Sequence, residues 1–165
     1  MPAYTTEQIR NIALVGHSGA GKTTLFEALL HAGGAIQTAG SVERGTTVSD
    51  YDPMEKERQH SIQSTLASID HGGMHVNLFD TPGYPDFRGP TLSILGAVET
   101  CAVVVNAALG VEHSTLRLMD YAKGRGLCRL LIVNKIDGAN PRALLEQLRE
   151  TFGSECLPIN LPAKG

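Results

Sequence analysis

The stretch Gly16-His17-Ser18-Gly19-Ala20-Gly21-Lys22-Thr23 decides how the rest of this chain is read. It fits G-x-x-x-x-G-K-[ST], the pattern of a glycine-rich loop that wraps phosphate. An apolar run, Ile9 to Val15, precedes it, and a helical pattern, Thr24 to His31, follows it. A strand, a tight turn and a helix form the context that this motif needs. A tight glycine loop turns successive backbone N–H groups inward, and the following helix offers its free N–H groups and positive dipole end to the same anion. Lys22 can reach the β- and γ-phosphates as a point charge, and the Thr23 hydroxyl can ligate Mg²⁺. A chance match in a chain of this composition arises about once in a hundred, so an ordinary glycine turn is the weaker explanation. The loop alone does not separate ATP from GTP, or hydrolysis from binding.

Bulk properties narrow the setting. With 165 residues, 42% hydrophobic and 19% charged, the chain has the size and balance of one globular domain with a proper core. A net charge of −3 excludes a general polyanion binder, so direct DNA binding is not expected. Cys101, Cys128 and Cys156 are far apart and form no C-x-x-C pair, so no zinc or redox motif is indicated; Cys101 and Cys156 each open an apolar run and read as buried thiols, which suits a reducing compartment. His60, His71, His75 and His113 show no metal-ligand spacing. Met1 to Arg10 lacks the basic-then-apolar layout of a signal peptide, and no apolar run is long enough to span a membrane. The expected location is the cytoplasm.

Along the chain, Leu25, Ala28, Leu29 and Ala32 recur at helical spacing until Gly33 and Gly34 stop the helix. From Gly33 to His60 the pattern is lost, and a loop of that length next to a phosphate site reads as a segment that closes over nucleotide. Ile62 to Ile69 alternates, Asp70 to Gly73 turns, and Met74 to Phe79 is apolar, which gives an antiparallel hairpin. Ala102 to Val105, the helical Val111 to Lys123, Leu130 to Val133 and a helix opened by Asn140 and Pro141 then alternate strand and helix. Leu157 to Leu161 reads as a last strand, at an edge because of Pro158. The expected fold is α/β: a mostly parallel six-stranded sheet with one antiparallel strand and helices on both faces, the P-loop NTPase architecture.

Ligands of such sheets bind at the carboxyl ends of the strands. Besides the phosphate loop, Asp80-Thr81-Pro82-Gly83 and Asn134-Lys135-Ile136-Asp137 follow strands there. Asp80 is placed to hold Mg²⁺ through a water, and Gly83, lacking a side chain, lets its N–H approach a terminal phosphate. A carboxylate at Asp137 can accept both N–H groups of the guanine edge, and a site built on a buried acceptor rejects adenine, which has no such donor pair. Asn134 would brace the loop and Lys135 would lay its aliphatic stem on the base.

In this order the phosphate loop, D-x-x-G and N-K-x-D resemble the GTPase superfamily. D-T-P-G-Y-P-D-F at Asp80 to Phe87 resembles the D-T-P-G-H-x-D-F of translational GTPases, and G-H-S-G-A-G-K-T resembles their G-H-x-D-x-G-K-T. M-E-K-E-R-Q-H-S-I at Met54 to Ile62 resembles the M-x-x-E-x-x-R-G-I-T-I region of elongation factor G, and Cys156 to Gly165 is similar to the point where that factor's G domain departs into its inserted subdomain. The resemblance is to an elongation factor G-like protein of the kind a divergent paralogue would be. It implies that residues 1–165 form a GTP-binding domain cut before the inserted subdomain and the last guanine-contacting loop. It implies GTP/GDP and Mg²⁺ as ligands, and the ribosome as partner through other domains of a monomeric factor. His17, Ser18, Gly19, Ala20, Gly21, Lys22, Thr23 and Thr24 would line the phosphates, with Asp80, Gly83, Asn134, Lys135 and Asp137 completing the nucleotide site. Thr23, Ser61 and Asp80 would hold the metal; Ser61, ahead of the hairpin, takes that role rather than Thr46 or Thr47. Lys22, Gly83 and Tyr84 would be the catalytic set.

Two departures concern rate. The family's water-positioning histidine is Tyr84 here, a phenol with a pKa near 10, and its phosphate-loop aspartate is Gly19. Three readings follow: a GTPase driving translocation or a related ribosomal step, a nucleotide-controlled ribosome-binding switch with weak hydrolysis, and an ATPase, against which Asp137 argues.

Overall fold

The computed structural model describes residues 4–49, 63–83 and 88–160. Strand β1 (Ile9–Val15) is central and runs parallel to β3 (Met74–Asp80) on one side and to β4 (Thr100–Asn106) on the other. Beyond β4 lies β5 (Cys128–Asn134), also parallel, and beyond β3 lies β2 (Thr65–His71), which is antiparallel. The order is β2-β3-β1-β4-β5, five strands with one antiparallel pair.

β1 and β4 are apolar on both faces because helices cover both. Leu14 and Ala102 point to one side, where they meet Phe26 and Leu30 of helix α1 (Lys22–Ala32). Each of those large side chains contributes about 2 kcal/mol on burial. Ala13, Val15, Val103 and Val105 point to the other side. There they pack on Leu95 of α2 (Arg88–Leu95) and on Met119 and Ala122 of α3 (His113–Gly124). β2 has one covered face only: Thr65, Ala67 and Ile69 are half-buried, whereas Leu66 is 56% exposed. The hairpin turns on Gly72 and Gly73 at φ 57° and 78°, the left-handed pair that a two-residue turn requires.

Helix ends follow the sequence. α1 stops at Gly33, and Ala35 N–H returns to Leu30 O at 2.9 Å to satisfy an orphan carbonyl. α4 (Pro141–Phe152) begins as expected at Asn140, whose side chain accepts from Arg142 N and Ala143 N at 3.1 and 3.3 Å. Such a cap contributes about 1 kcal/mol.

One helix goes unread in the sequence, and two expectations need correction. α2 carries Gly89 and Pro90, residue types more common in loops. Both fall in the helix's first turn, where N–H groups have no intrahelical partner and proline costs nothing. The sixth strand is absent among the described residues: 157–160 joins no ladder, and Leu157 and Ile159 are 75% and 83% exposed. Pro158 has no N–H to give to a ladder there. Of the thiols, only Cys101 is buried, and burial pushes it up to about 12; Cys156 is half-buried and Cys128 exposed. No helix among the described residues is long and apolar enough to cross a membrane.

Candidate functional site

The sheet's register gathers the three singled-out loops. Leu14 of β1 pairs with Asp80 of β3, Val15 with Val103 of β4, and Asn106 of β4 with Asn134 of β5. These strands are parallel, so the segments starting at Gly16, Asp80 and Asn134 leave the sheet at one edge, where their carboxyl ends lie.

The loop from Gly16 to Thr23 is held from two directions. Asn134 Nδ2 donates to Ala20 O at 3.0 Å and so ties the end of β5 to the phosphate loop. Gly21, at φ 91°, caps α1, and a Cβ there would collide with the Asn134 amide. From the other side comes the Asp80–Gly83 segment. Thr81, 1% exposed, donates from Oγ1 to Leu14 O at 2.8 Å and ties the segment to the end of β1. A Cβ at Gly83 would meet Lys22 Nζ, and would lie 2.6 Å from Ser18 N and 2.8 Å from His17 C. Only glycine lets this backbone lie so close to the phosphate loop.

Lys22 sits beneath that approach. It is 6% exposed, and its Nζ donates to Gly16 O at 3.1 Å and His17 O at 3.0 Å. Burial pushes its pKa from 10.5 down to about 8, against the pull of the Asp80 carboxylate. A cation held this way gains from an arriving anion, because the anion replaces the lost hydration. Next to it, Thr23 Oγ1 donates to Asp80 Oδ2 at 2.7 Å, with Asp80 1% exposed. This hydroxyl and carboxylate form an all-oxygen donor pair, the set that a hard cation such as Mg²⁺ takes. The residues present therefore fit the metal.

The remaining site residues are peripheral or outside the description. His17 Nδ1 lies 2.6 Å from Ser18 O and 3.7 Å from Glu112 at the start of α3. Gly19, at φ 75°, faces open space, and Thr24 is exposed in the first turn of α1. Lys135 and Asp137 are both exposed just beyond the Asn134 brace, with Lys135 at φ 55°. Asp137 is thus a surface carboxylate here rather than a buried acceptor; a base laid against it would have to bury it. Ser61 and Tyr84 lie outside the described residues.

Sequence reasoning misses three contributors. Thr81 reads only as part of a turn, although a hydroxyl beside a strand end is a ready tie for a neighbouring carbonyl. Glu112 gives no signal as the partner of His17. A cavity of about 280 Å³ opens between Gly16, His17, Pro82 and Gly83 on one side and Leu92 of α2 with Arg117, Leu118 and Tyr121 of α3 on the other. It depends on α2, which the sequence does not reveal.

Comparison with known proteins agrees with this geometry. The family model described as the elongation factor Tu GTP binding domain matches residues 7–159. An elongation factor G-like protein of Mycobacterium tuberculosis is 41% identical over 157 residues, which cover 94% of this chain and 22% of that protein. Peptide chain release factor 3 of Streptococcus uberis is 40% identical over 159 residues, covering 93% of this chain and 31% of the relative. The chain thus spans between a fifth and a third of the length of these curated relatives. A crystal structure of a protein from Thermus thermophilus matches with a TM-score of 0.91 and 43% identity, over 96% of this chain and 24% of the other. The bacterial selenocysteine-specific elongation factor matches at a TM-score of 0.67 and 23% identity, over 87% of this chain and 22% of that one, which bears on the fold alone. With the phosphate loop, the Thr23–Asp80 pair and the Asn134 brace on one sheet edge, and a family match over nearly its whole length, the chain belongs to the elongation factor Tu GTP-binding domain family.

Proposed function

We propose that this chain binds GTP and GDP with Mg²⁺ and hydrolyses GTP, as the switch domain of a cytoplasmic, monomeric factor that acts on the ribosome in translocation or a related step. The observation that carries the reading is Lys22: a buried ammonium at the mouth of a phosphate loop, roofed by Gly83 and flanked by the Thr23–Asp80 pair. The names of the relatives, elongation factor and release factor, support a role in protein synthesis, for which the ribosome is the natural partner.

The chain's own groups divide the work. Backbone N–H groups from His17 to Thr24 bind the phosphates, and Lys22 exchanges the carbonyls of Gly16 and His17 for phosphate oxygens. Gly83 N–H meets the terminal phosphate, and Tyr84 orients the attacking water by hydrogen bonding. Water adds to the γ-phosphorus as the bond to the bridging oxygen breaks, leaving GDP and phosphate. Asp137 accepts from the guanine edge, on a loop that Asn134 fixes to Ala20 O and across which Lys135 covers the base. Thr23, Asp80 and Ser61 would hold Mg²⁺, which would neutralise phosphate charge when bound.

A second reading, a ribosome-associated switch with weak hydrolysis, has its own observation. Gly19 stands at φ 75°, a left-handed backbone that favours glycine, so the aspartate of the family motif that this loop resembles would be strained there although the space beside it is open. Ribosome-stimulated GTP turnover by the full-length protein separates the two. Stimulation in the wild type supports the enzyme; no stimulation in the wild type, with stimulation gained by Tyr84→His, supports the switch.

A further inference from the structure

We infer that Glu27 is a positioning residue that latches residues 40–49 onto the phosphate-binding helix, and that this latch sets how strongly the protein prefers GTP over GDP. The inference deepens the proposed function and rests on it.

Glu27 lies in α1 and is 1% exposed. A carboxylate taken out of water is costly unless it is hydrogen-bonded, and this one is answered by backbone N–H groups. Oε2 accepts Gly40 N–H at 2.8 Å, and Oε1 accepts Val48 N–H at 2.5 Å. Both donors belong to the loop that follows α1. Between them the loop closes on itself: Thr46 N–H donates to Ser41 O at 3.1 Å, and Ser41 N–H donates to Thr46 Oγ1 at 3.0 Å. Gly40 has no room for a side chain, since a Cβ would meet Thr46 O and would lie 2.6 Å from Thr47 Cα. At the far end, Thr65 Oγ1 of β2 donates to Ser49 O at 3.2 Å. Residues 40–49 are thus a folded unit hung on α1 by Glu27 and on β2 by Thr65.

The link to nucleotide lies in the helix. Thr23 and Glu27 are one turn apart and share a face of α1. Thr23 is bonded to Asp80, so one helical face joins the end of β3, the phosphate loop and the folded loop. A shift of the first turn of α1 as the γ-phosphate comes or goes is carried to Gly40 and Val48 through Glu27. Nothing else in the proposed site explains why a core helical position carries an acid.

Glu27→Gln keeps the volume but turns an amine toward one of the two N–H donors. The expected result is a GTP-to-GDP affinity ratio lowered about tenfold, with GDP affinity within about twofold of wild type. Tryptic cleavage after Arg44, which is exposed on the same loop, should quicken in the GTP-bound variant. Gly40→Val disturbs the latch from the loop side and should lower the ratio likewise. An unchanged ratio and unchanged Arg44 cleavage in Glu27→Gln overturns the inference. So does an equal loss of both affinities together with thermal stability, which marks a purely structural acid. A wild-type protein that binds neither nucleotide overturns the proposed function instead, and Arg44 cleavage without nucleotide then decides on the latch alone.

Discussion

Replacing Lys22 by methionine should weaken nucleotide binding without destabilising the empty protein at pH 7. The ammonium is 6% exposed, and burial lowers its pKa from 10.5 to about 8. At about 1.4 kcal/mol for each pH unit of that fall, the charged form costs about 3 kcal/mol at pH 7. Folding lowers this pKa, so between pH 8 and 10.5 the unfolded chain holds a proton that the folded chain has released. Stability contributed by this group therefore rises with pH through that window, and below pH 8 the whole cost applies. Methionine escapes the cost but forfeits the bonds to Gly16 O and His17 O, at about 1 kcal/mol each. The variant should then be about 1 kcal/mol more stable than wild type at pH 7, level with it near pH 9, and less stable above. Urea denaturation of both proteins across that range reads the difference, and titrations common to both, Cys101 included, cancel. In parallel, GTP affinity should fall at least about thirtyfold, since an anion is left without its buried cation. A variant more than about 2 kcal/mol less stable than wild type at every pH would refute the reasoning, because Lys22 would then be a structural residue that gains from its site.

Two further substitutions test the neighbouring contacts. Gly83→Ala puts a Cβ 2.6 Å from Ser18 N, and a displacement of the order of 1 Å at reacting groups costs about a hundredfold, so single-turnover GTP cleavage should fall about that much while GDP binding changes little. Thr23→Val removes the hydroxyl donated to Asp80; GTP binding in the presence of Mg²⁺ should weaken and lose its dependence on Mg²⁺ concentration, as read by isothermal titration with and without the metal.

Much of the site is legible in the sequence because its chemistry is local. Gly16 to Thr23 carries its own strand, turn and helix, and the alternation of strands and helices is enough to set Asp80 and Asn134 at the same sheet edge. Asn140 with Pro141 announces a helix start, and the cap is formed. What escapes depends on contacts between distant residues. Gly89 and Pro90 hide α2, whose helicity comes from packing Leu92 and Leu95 against β1 and β4 rather than from propensity. The run from Leu157 has strand composition but no neighbour to pair with among the described residues. Glu27 looks like any polar helix position until Gly40 and Val48 are brought to it.

The central claim is that the loop beyond β5 selects guanine through Asp137. Equilibrium titration of the full-length protein and of Asp137→Asn with GDP, xanthosine diphosphate and ADP tests it most directly. The account predicts GDP over ADP by at least about a hundredfold in the wild type, and a switch to xanthosine diphosphate in the variant, because an amide can donate where the carboxylate only accepted. A wild type that binds ADP as well as GDP, or a variant that keeps its preference for guanosine, would contradict it.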